Sequence, residues 1–264
     1  MVNRLFPYYG AKHAYIRHYP APRHGHIIEP FAGSAAYAHA HGAENDVTLI
    51  EKNPRIAAIW QWLVSVSADE LASLPGIDTI EHLDESGLID GPAREFLKQW
   101  MSSASVTGAN RKSSFAKHNI ETGRWWFTEF HKPAFCDALK KIRHWRIVLG
   151  QHHQAHNVCA TWFVDPPYVN GGQHYRENCN SLSVDYLALA EWCLERIGDV
   201  IVCEGNGAEW LPFQPIASNR DDTDKRSGLG KIRRTEIVYY QRQGSHVPAW
   251  NVKSYACQNQ EALW

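Results

Sequence analysis

The sequence is short of the features that mark membrane, secreted or metal-dependent proteins. No apolar run approaches the ~20 residues that a bilayer-spanning helix requires. The most apolar stretches, such as Trp162-Phe163-Val164, have the length of core strands. The opening residues, Met1 to Tyr8, lack the apolar segment of a signal peptide, so a cytoplasmic chain with no membrane partner is expected. Six cysteines are scattered without a Cys-x-x-Cys pair, which argues against a disulfide framework or a cysteine zinc site and for buried reduced thiols. Fifteen histidines cluster most densely at His152, His153 and His156, yet no carboxylate or cysteine stands at ligand spacing beside them, and no metal is expected. Internal repeats and low-complexity segments are missing. So is a nucleotide phosphate loop, because Gly228-Leu229-Gly230-Lys231 has the wrong spacing.

What is present is an ordinary globular balance, 44% apolar and 21% charged residues over 264 positions, enough for one large α/β domain or a core with an insert. Net charge is −1, but it is unevenly spread. Nine basic residues lie between Arg111 and Arg146 against Glu121, Glu129 and Asp137, and a second basic stretch runs through Lys225, Arg226, Lys231, Arg233 and Arg234. Such clustering on a near-neutral chain points to one face suited to an anionic partner. Segment 26–29 reads as a strand, followed by a glycine turn and a helix over about 34–42. Segment 47–51 reads as a second strand, after which Asn53 and Pro54 supply the N-cap and first-turn proline of a helix reaching Leu63. This alternation predicts a parallel sheet. Strand character fades over 64–145, where Ser67 and Glu70 form a capping-box pattern and Pro92 and Pro133 open helices. It returns at 146–149, 161–165 and 200–204, with a helix over about 184–197 and a late strand at 235–240 for which antiparallel pairing is an option.

The strongest chemical signal is Asp165-Pro166-Pro167-Tyr168, directly after an apolar strand. The carboxyl ends of strands are where open α/β sheets build their sites. The exocyclic amine of adenine is a poor nucleophile because its lone pair is delocalised into the ring. The Asp165 carboxylate and the Pro166 carbonyl can accept its two hydrogens and free that lone pair. Prolines 166 and 167 fix φ and hold the carbonyl rigidly, and Tyr168 offers a ring on which an extruded base can stack. Upstream, Glu29-Pro30-Phe31-Ala32-Gly33-Ser34-Ala35 spans the first strand-to-helix turn, where Gly33 permits close approach of backbone to a cofactor. Glu51 ends the second strand, where a carboxylate can accept two ribose hydroxyls.

Taken in order, these motifs resemble the DNA N6-adenine methyltransferases of the alpha arrangement, the group containing the Dam-type adenine methylases. Tyr8-Tyr9-Gly10-Ala11-Lys12 matches that family's aromatic–glycine–lysine motif, Glu29 to Gly33 its Glu-Pro-Phe-x-Gly motif, and Glu51-Lys52-Asn53-Pro54 its acidic turn. Asp165 to Tyr168 matches its Asp-Pro-Pro-Tyr motif, and Arg234-Thr235-Glu236-Ile237 its late Arg-x-Glu-apolar strand. The resemblance implies a Rossmann-like methyltransferase sheet with helices on both faces and a mainly helical target-recognition insert. Residues 1–63 and 146–264 would form the S-adenosylmethionine-binding catalytic domain, and 64–145 the recognition insert. Tyr8, Gly10, Lys12, Glu29, Phe31, Gly33, Glu51 and Asp165 would lie at the cofactor, with Lys12 pairing its carboxylate. Asp165, Pro166, Pro167 and Tyr168 would be catalytic. Two positions depart from the family: Ala11 precedes the lysine and Ala35 stands where a second glycine is common, which is acceptable if its φ is negative.

For double-stranded DNA, Asn110, Arg111, Lys112, Lys117, Asn119 and Arg124 mix phosphate-type and base-edge-type side chains. Trp125 and Trp126 read as core rather than wedge, and the polar loop holding His174 and Tyr175 is placed to close over a flipped base. Cytosine ring methylation would need a Pro-Cys pair, which does not occur, and cytosine-amine methylases usually carry serine where Asp165 stands. The alternatives are a methyltransferase acting on RNA adenine or glutamine, and a DNA-binding module on a decayed methyltransferase scaffold. No nuclease-like segment is present, so a stand-alone methylase is expected, for which a monomer suffices.

Overall fold

A computed structural model describes residues 4–102, 107–124, 127–170, 184–218 and 235–243. Trp125, Trp126, His174, Tyr175 and the basic stretch at 225–234 lie outside these. The described strands form one seven-stranded, mostly parallel sheet in the order β3-β2-β1-β4-β5-β7-β6, compatible with a Rossmann-like fold. The strands are β1 His26–Glu29, β2 Asp46–Glu51, β3 Arg146–Leu149, β4 Ala160–Val164, β5 Gly198–Gly205, β6 Gln214–Ser218 and β7 Thr235–Gln241. The helices are α1 Ala36–His41, α2 Pro54–Ser65, α3 Ala68–Ser73, α4 Pro92–Met101, α5 Ser114–Glu121, α6 Lys132–Lys140 and α7 Tyr186–Leu194. No described helix is long and apolar enough to cross a membrane.

The chain divides into two compact units. The first comprises residues 1–16 and 31–152. There β2 and β3 run parallel, with Thr48 opposite Arg146 and Glu51 opposite Leu149. The predicted caps form: Asn53 Oδ1 accepts from the Arg55 amide, and Ser67 and Glu70 close a capping box on α3. Helices α3 to α6 occupy the predicted helical stretch. Their core is aromatic, with Phe96, Trp100, Phe127 and Phe135 fully buried and Phe127 edge-on to Phe96 at 4.8 Å and to Phe135 at 5.3 Å. Trp100 donates its indole N–H to the Leu5 carbonyl, which ties the N-terminal segment to this core. Basic side chains also serve the packing: Lys132 donates to the Ala72 and Leu74 carbonyls, and Arg143 to those of Leu63 and Val66.

The second unit comprises residues 17–30 and 153–264. β1, β4 and β5 run parallel, with Ile27 opposite Thr161 and Trp162 opposite Val200. β5 pairs antiparallel with β7, the option the sequence left open for the late strand, with Glu204 opposite Ile237. β4 is buried along its whole length, as an unbroken apolar run demands. Gly198 opens β5 at φ +111°, where a Cβ would stand 2.0 Å from the Ala160 carbonyl oxygen, so only glycine lets β5 lie against β4 there.

Candidate active site

In the first unit the three upstream motifs meet. Gly10 takes φ +77° in a turn where the Ala11 N–H donates to the Tyr8 carbonyl at 3.4 Å. Gly33 takes φ +47°, and a Cβ on it would stand 3.1 Å from the Tyr8 ring, so the glycine leaves room for that ring to approach the backbone. Its N–H donates to Glu51 Oε2 at 2.9 Å, and its carbonyl accepts from the Trp60 indole at 2.8 Å. Glu51 Oε1 accepts from the Asn53 amide at 2.7 Å. Glu51 is therefore a buried hub, 8% exposed, rather than a solvated strand end. Burial raises its pKa, against the opposing pull of the Asn53, Gly33 and Lys52 backbone N–H groups. Each carboxylate oxygen has two lone pairs, so one bond apiece does not exhaust its accepting capacity.

Lys12 is 5% exposed, and its ammonium donates to the Gly10 carbonyl at 2.7 Å, so it is not a surface lysine. Phe31 stacks on His152 with ring centroids 5.2 Å apart, a contact its spacing in sequence could not reveal. Ala35 corrects an expectation: its φ is +46° and ψ +51°, not negative. The turn at 32–35 closes through an Ala35 N–H to Ala32 carbonyl bond at 2.6 Å, and this left-handed geometry is imposed on a residue with a Cβ.

In the second unit Asp165 is the first residue past β4, half-buried, followed by buried Pro166. Glu29, at the end of β1, is buried. Three elements fix the segment after Asp165. The α7 residue Tyr186 donates its hydroxyl to the Pro167 carbonyl at 2.5 Å. The β7 residue Glu236 accepts the Tyr168 hydroxyl at 2.6 Å and the Tyr19 hydroxyl at 2.7 Å, both on Oε1. The β5 residue Glu204 accepts the Val169 amide at 3.2 Å, the Gly205 amide at 2.8 Å and the Trp210 indole at 3.1 Å. A Cβ on Gly205 would stand 3.1 Å from the Tyr168 ring. Burial, then the charges of Asp165 and Glu236, push the Tyr168 hydroxyl up, so it stays a neutral donor. Burial pushes Glu204 up to about 7. Of these supports, Glu236 was legible as part of a motif. Tyr19, Tyr186 and Glu204 carried no sequence signal.

The nucleic-acid candidates are gathered differently from the linear run. Glu81 draws Lys117 to 2.5 Å and Arg111 and Lys112 to 3.8 Å each, and their charges and hydrogen bonds, Lys117 foremost, lower its pKa. Asn110, Arg111 and Arg124 are exposed. Asn119 is buried and donates its amide to the Phe115 carbonyl at 2.7 Å, turning inward. Among the described residues no group of three or more His, Cys, Asp or Glu could hold a metal ion.

Comparison with known proteins returned no matching family model and no matching curated protein. Among solved structures, a conserved hypothetical protein from Streptococcus pyogenes is similar at 11% identity and a TM-score of 0.32, over 84% of this chain and 88% of its own. Similarity at that level carries no functional argument.

Proposed function

We propose that this protein is an S-adenosylmethionine-dependent methyltransferase acting on the exocyclic amine of adenine in double-stranded DNA. The observation that carries the reading is Asp165-Pro166-Pro167-Tyr168 at the carboxyl end of the buried strand β4, with Tyr168 held through Glu236 and the following amide through Glu204. Support also comes from the first unit, where Tyr8 packs on the Gly33 turn and Glu51 holds the Gly33 N–H, so residues of three motifs gather at one turn. On this reading Glu51 would take the ribose hydroxyls and Lys12 the carboxylate of the methyl donor. S-adenosylmethionine supplies a methyl group on a sulfonium, an electrophile that needs no metal.

On this reading the Asp165 carboxylate accepts one amine hydrogen and the Pro166 carbonyl the other. The nitrogen would become tetrahedral, and its freed lone pair would take up the methyl group as the donor's C–S bond breaks. The surplus proton leaves through Asp165 to water. Tyr168, with its hydroxyl anchored, presents a fixed ring for the extruded base, an arrangement that offsets part of the few kcal/mol of unstacking. Among the described residues, exposed Arg124 would meet phosphate, as would Arg111 and Lys117 in exchange for Glu81.

Labelled-methyl incorporation into duplex DNA, RNA and protein tests the reading. Wild-type protein should label duplex DNA at adenine, and Asp165→Ala should lose at least about 100-fold in kcat while keeping its far-ultraviolet spectrum. Full activity of Asp165→Ala would end the proposal. One observation favours a second reading, a DNA-binding scaffold that has lost its chemistry: Ala35 occupies a left-handed position where a glycine would relax the cofactor loop. In that case DNA binds with steep salt dependence and S-adenosylmethionine produces no thermal shift.

A further inference from the structure

At the end of the sheet where β1, β4 and β5 begin and β7 ends, three side chains line up in a way that methyl transfer does not use. Cys159, exposed and immediately before β4, places Sγ 3.4 Å from His24 Nδ1. The other ring nitrogen, His24 Nε2, lies 3.4 Å from Asp199 Oδ1 on β5. Backbone N–H groups of Arg23 and His24 both donate to Thr161 Oγ1, which sets His24 beside the start of β4. Asp199 is 1% exposed. Burial opposes its ionisation, but the Gln243 amide, His24, the Tyr240 hydroxyl and Arg23 outweigh that and hold its carboxyl below the ordinary value. His24 Nε2 faces Asp199 at ion-pair distance without closing a hydrogen bond, so the imidazolium gains a carboxylate partner once Nδ1 takes the thiol proton. Because cysteine and aspartate sit on opposite ring nitrogens, the three cannot converge on one ion. The arrangement suits proton relay, not chelation.

We propose that Cys159, His24 and Asp199 form a reactive-thiol site for soft electrophiles, low-molecular-weight disulfides foremost. The Cys159 thiol passes its proton to His24 Nδ1, and the resulting imidazolium is stabilised by Asp199. Sγ then attacks one sulfur of the disulfide. A new S–S bond forms to Cys159, the original S–S bond breaks, and the departing thiolate takes the proton back from His24. Gln243 Oε1, 3.5 Å from Sγ, is a second acceptor for the thiol proton. Cys159 precedes β4 and Asp165 follows it, so the two chemistries stand about 20 Å apart along the strand. The site does not depend on the methyltransferase reading.

The test is pulse labelling of the full chain with 2-hydroxyethyl disulfide and, separately, iodoacetamide at pH 6.5, with peptide mapping to read each cysteine. Folded wild-type protein should modify Cys159 about tenfold faster than the same thiol in the urea-unfolded chain, since a free thiol is only a few per cent ionised near neutrality. His24→Ala and His24→Gln should each abolish that excess and bring the Cys159 rate to that of the unfolded chain. The Cys136 rate should be unchanged in both variants, which confirms that the fold persists. Equal Cys159 rates in folded and unfolded wild type would overturn the proposal, as would an undiminished rate in both His24 variants.

Discussion

Ala35 is strained at the scale of a single residue. A left-handed backbone costs an L-residue with a Cβ roughly 1–2 kcal/mol, and glycine escapes that cost while adding freedom to the unfolded chain. The relief exceeds the entropic loss, so Ala35→Gly is expected to stabilise the protein by about 0.5–1 kcal/mol in urea unfolding. An unchanged or lower midpoint would mean the φ of +46° is not a strained state. Under the methyltransferase reading the same variant should also bind S-adenosylmethionine at least as tightly, because the loop reaches its conformation at lower cost.

Elements converge on the Asp165 segment through one carboxylate. Glu236 of β7 is 7% exposed and takes hydroxyl donors from Tyr168, past the end of β4, and from Tyr19, before β1. Removing a buried acceptor that serves two donors strands both hydroxyls, and each stranded group costs about 1–3 kcal/mol. Glu236→Ala is accordingly expected to lose about 2–4 kcal/mol by thermal or urea unfolding, and Glu236→Gln, which keeps a carbonyl oxygen, less than half of that. Equal losses in the two variants would show that packing around β7, not the shared acceptor, is what matters.

Across the whole molecule, ionisation of Glu204 makes stability depend on pH. Its folded pKa of about 7 lies above the ordinary 4.5, so between those values the folded chain holds a proton that the unfolded chain has released. Its contribution to stability is fully present below about pH 4.5 and is lost as pH rises through 7. Glu204→Gln cannot titrate. Relative to that variant, wild type should lose roughly 1–3 kcal/mol between pH 5 and pH 8, read from paired urea titrations. A pH-independent difference would mean that the three N–H groups on Glu204 fully offset its burial.

The order of amino acids determined by itself the strands that alternate with helices, the caps at Asn53 and Ser67, the helical stretch of 64–145 and the place of Asp165 just beyond an apolar strand. These follow from local chemistry: period, capping hydroxyls and amides, and proline and glycine at defined offsets. Only the tertiary structure decided that Glu51 and Lys12 are buried, that Ala35 is left-handed, that Glu81 gathers three basic residues and that Asn119 turns inward. It alone brought Tyr19 to Glu236, 217 positions away in sequence, and seated Cys159 against His24. Burial and long-range pairing arise from how strands order themselves in the sheet, and no local pattern encodes which distant side chains that order makes neighbours.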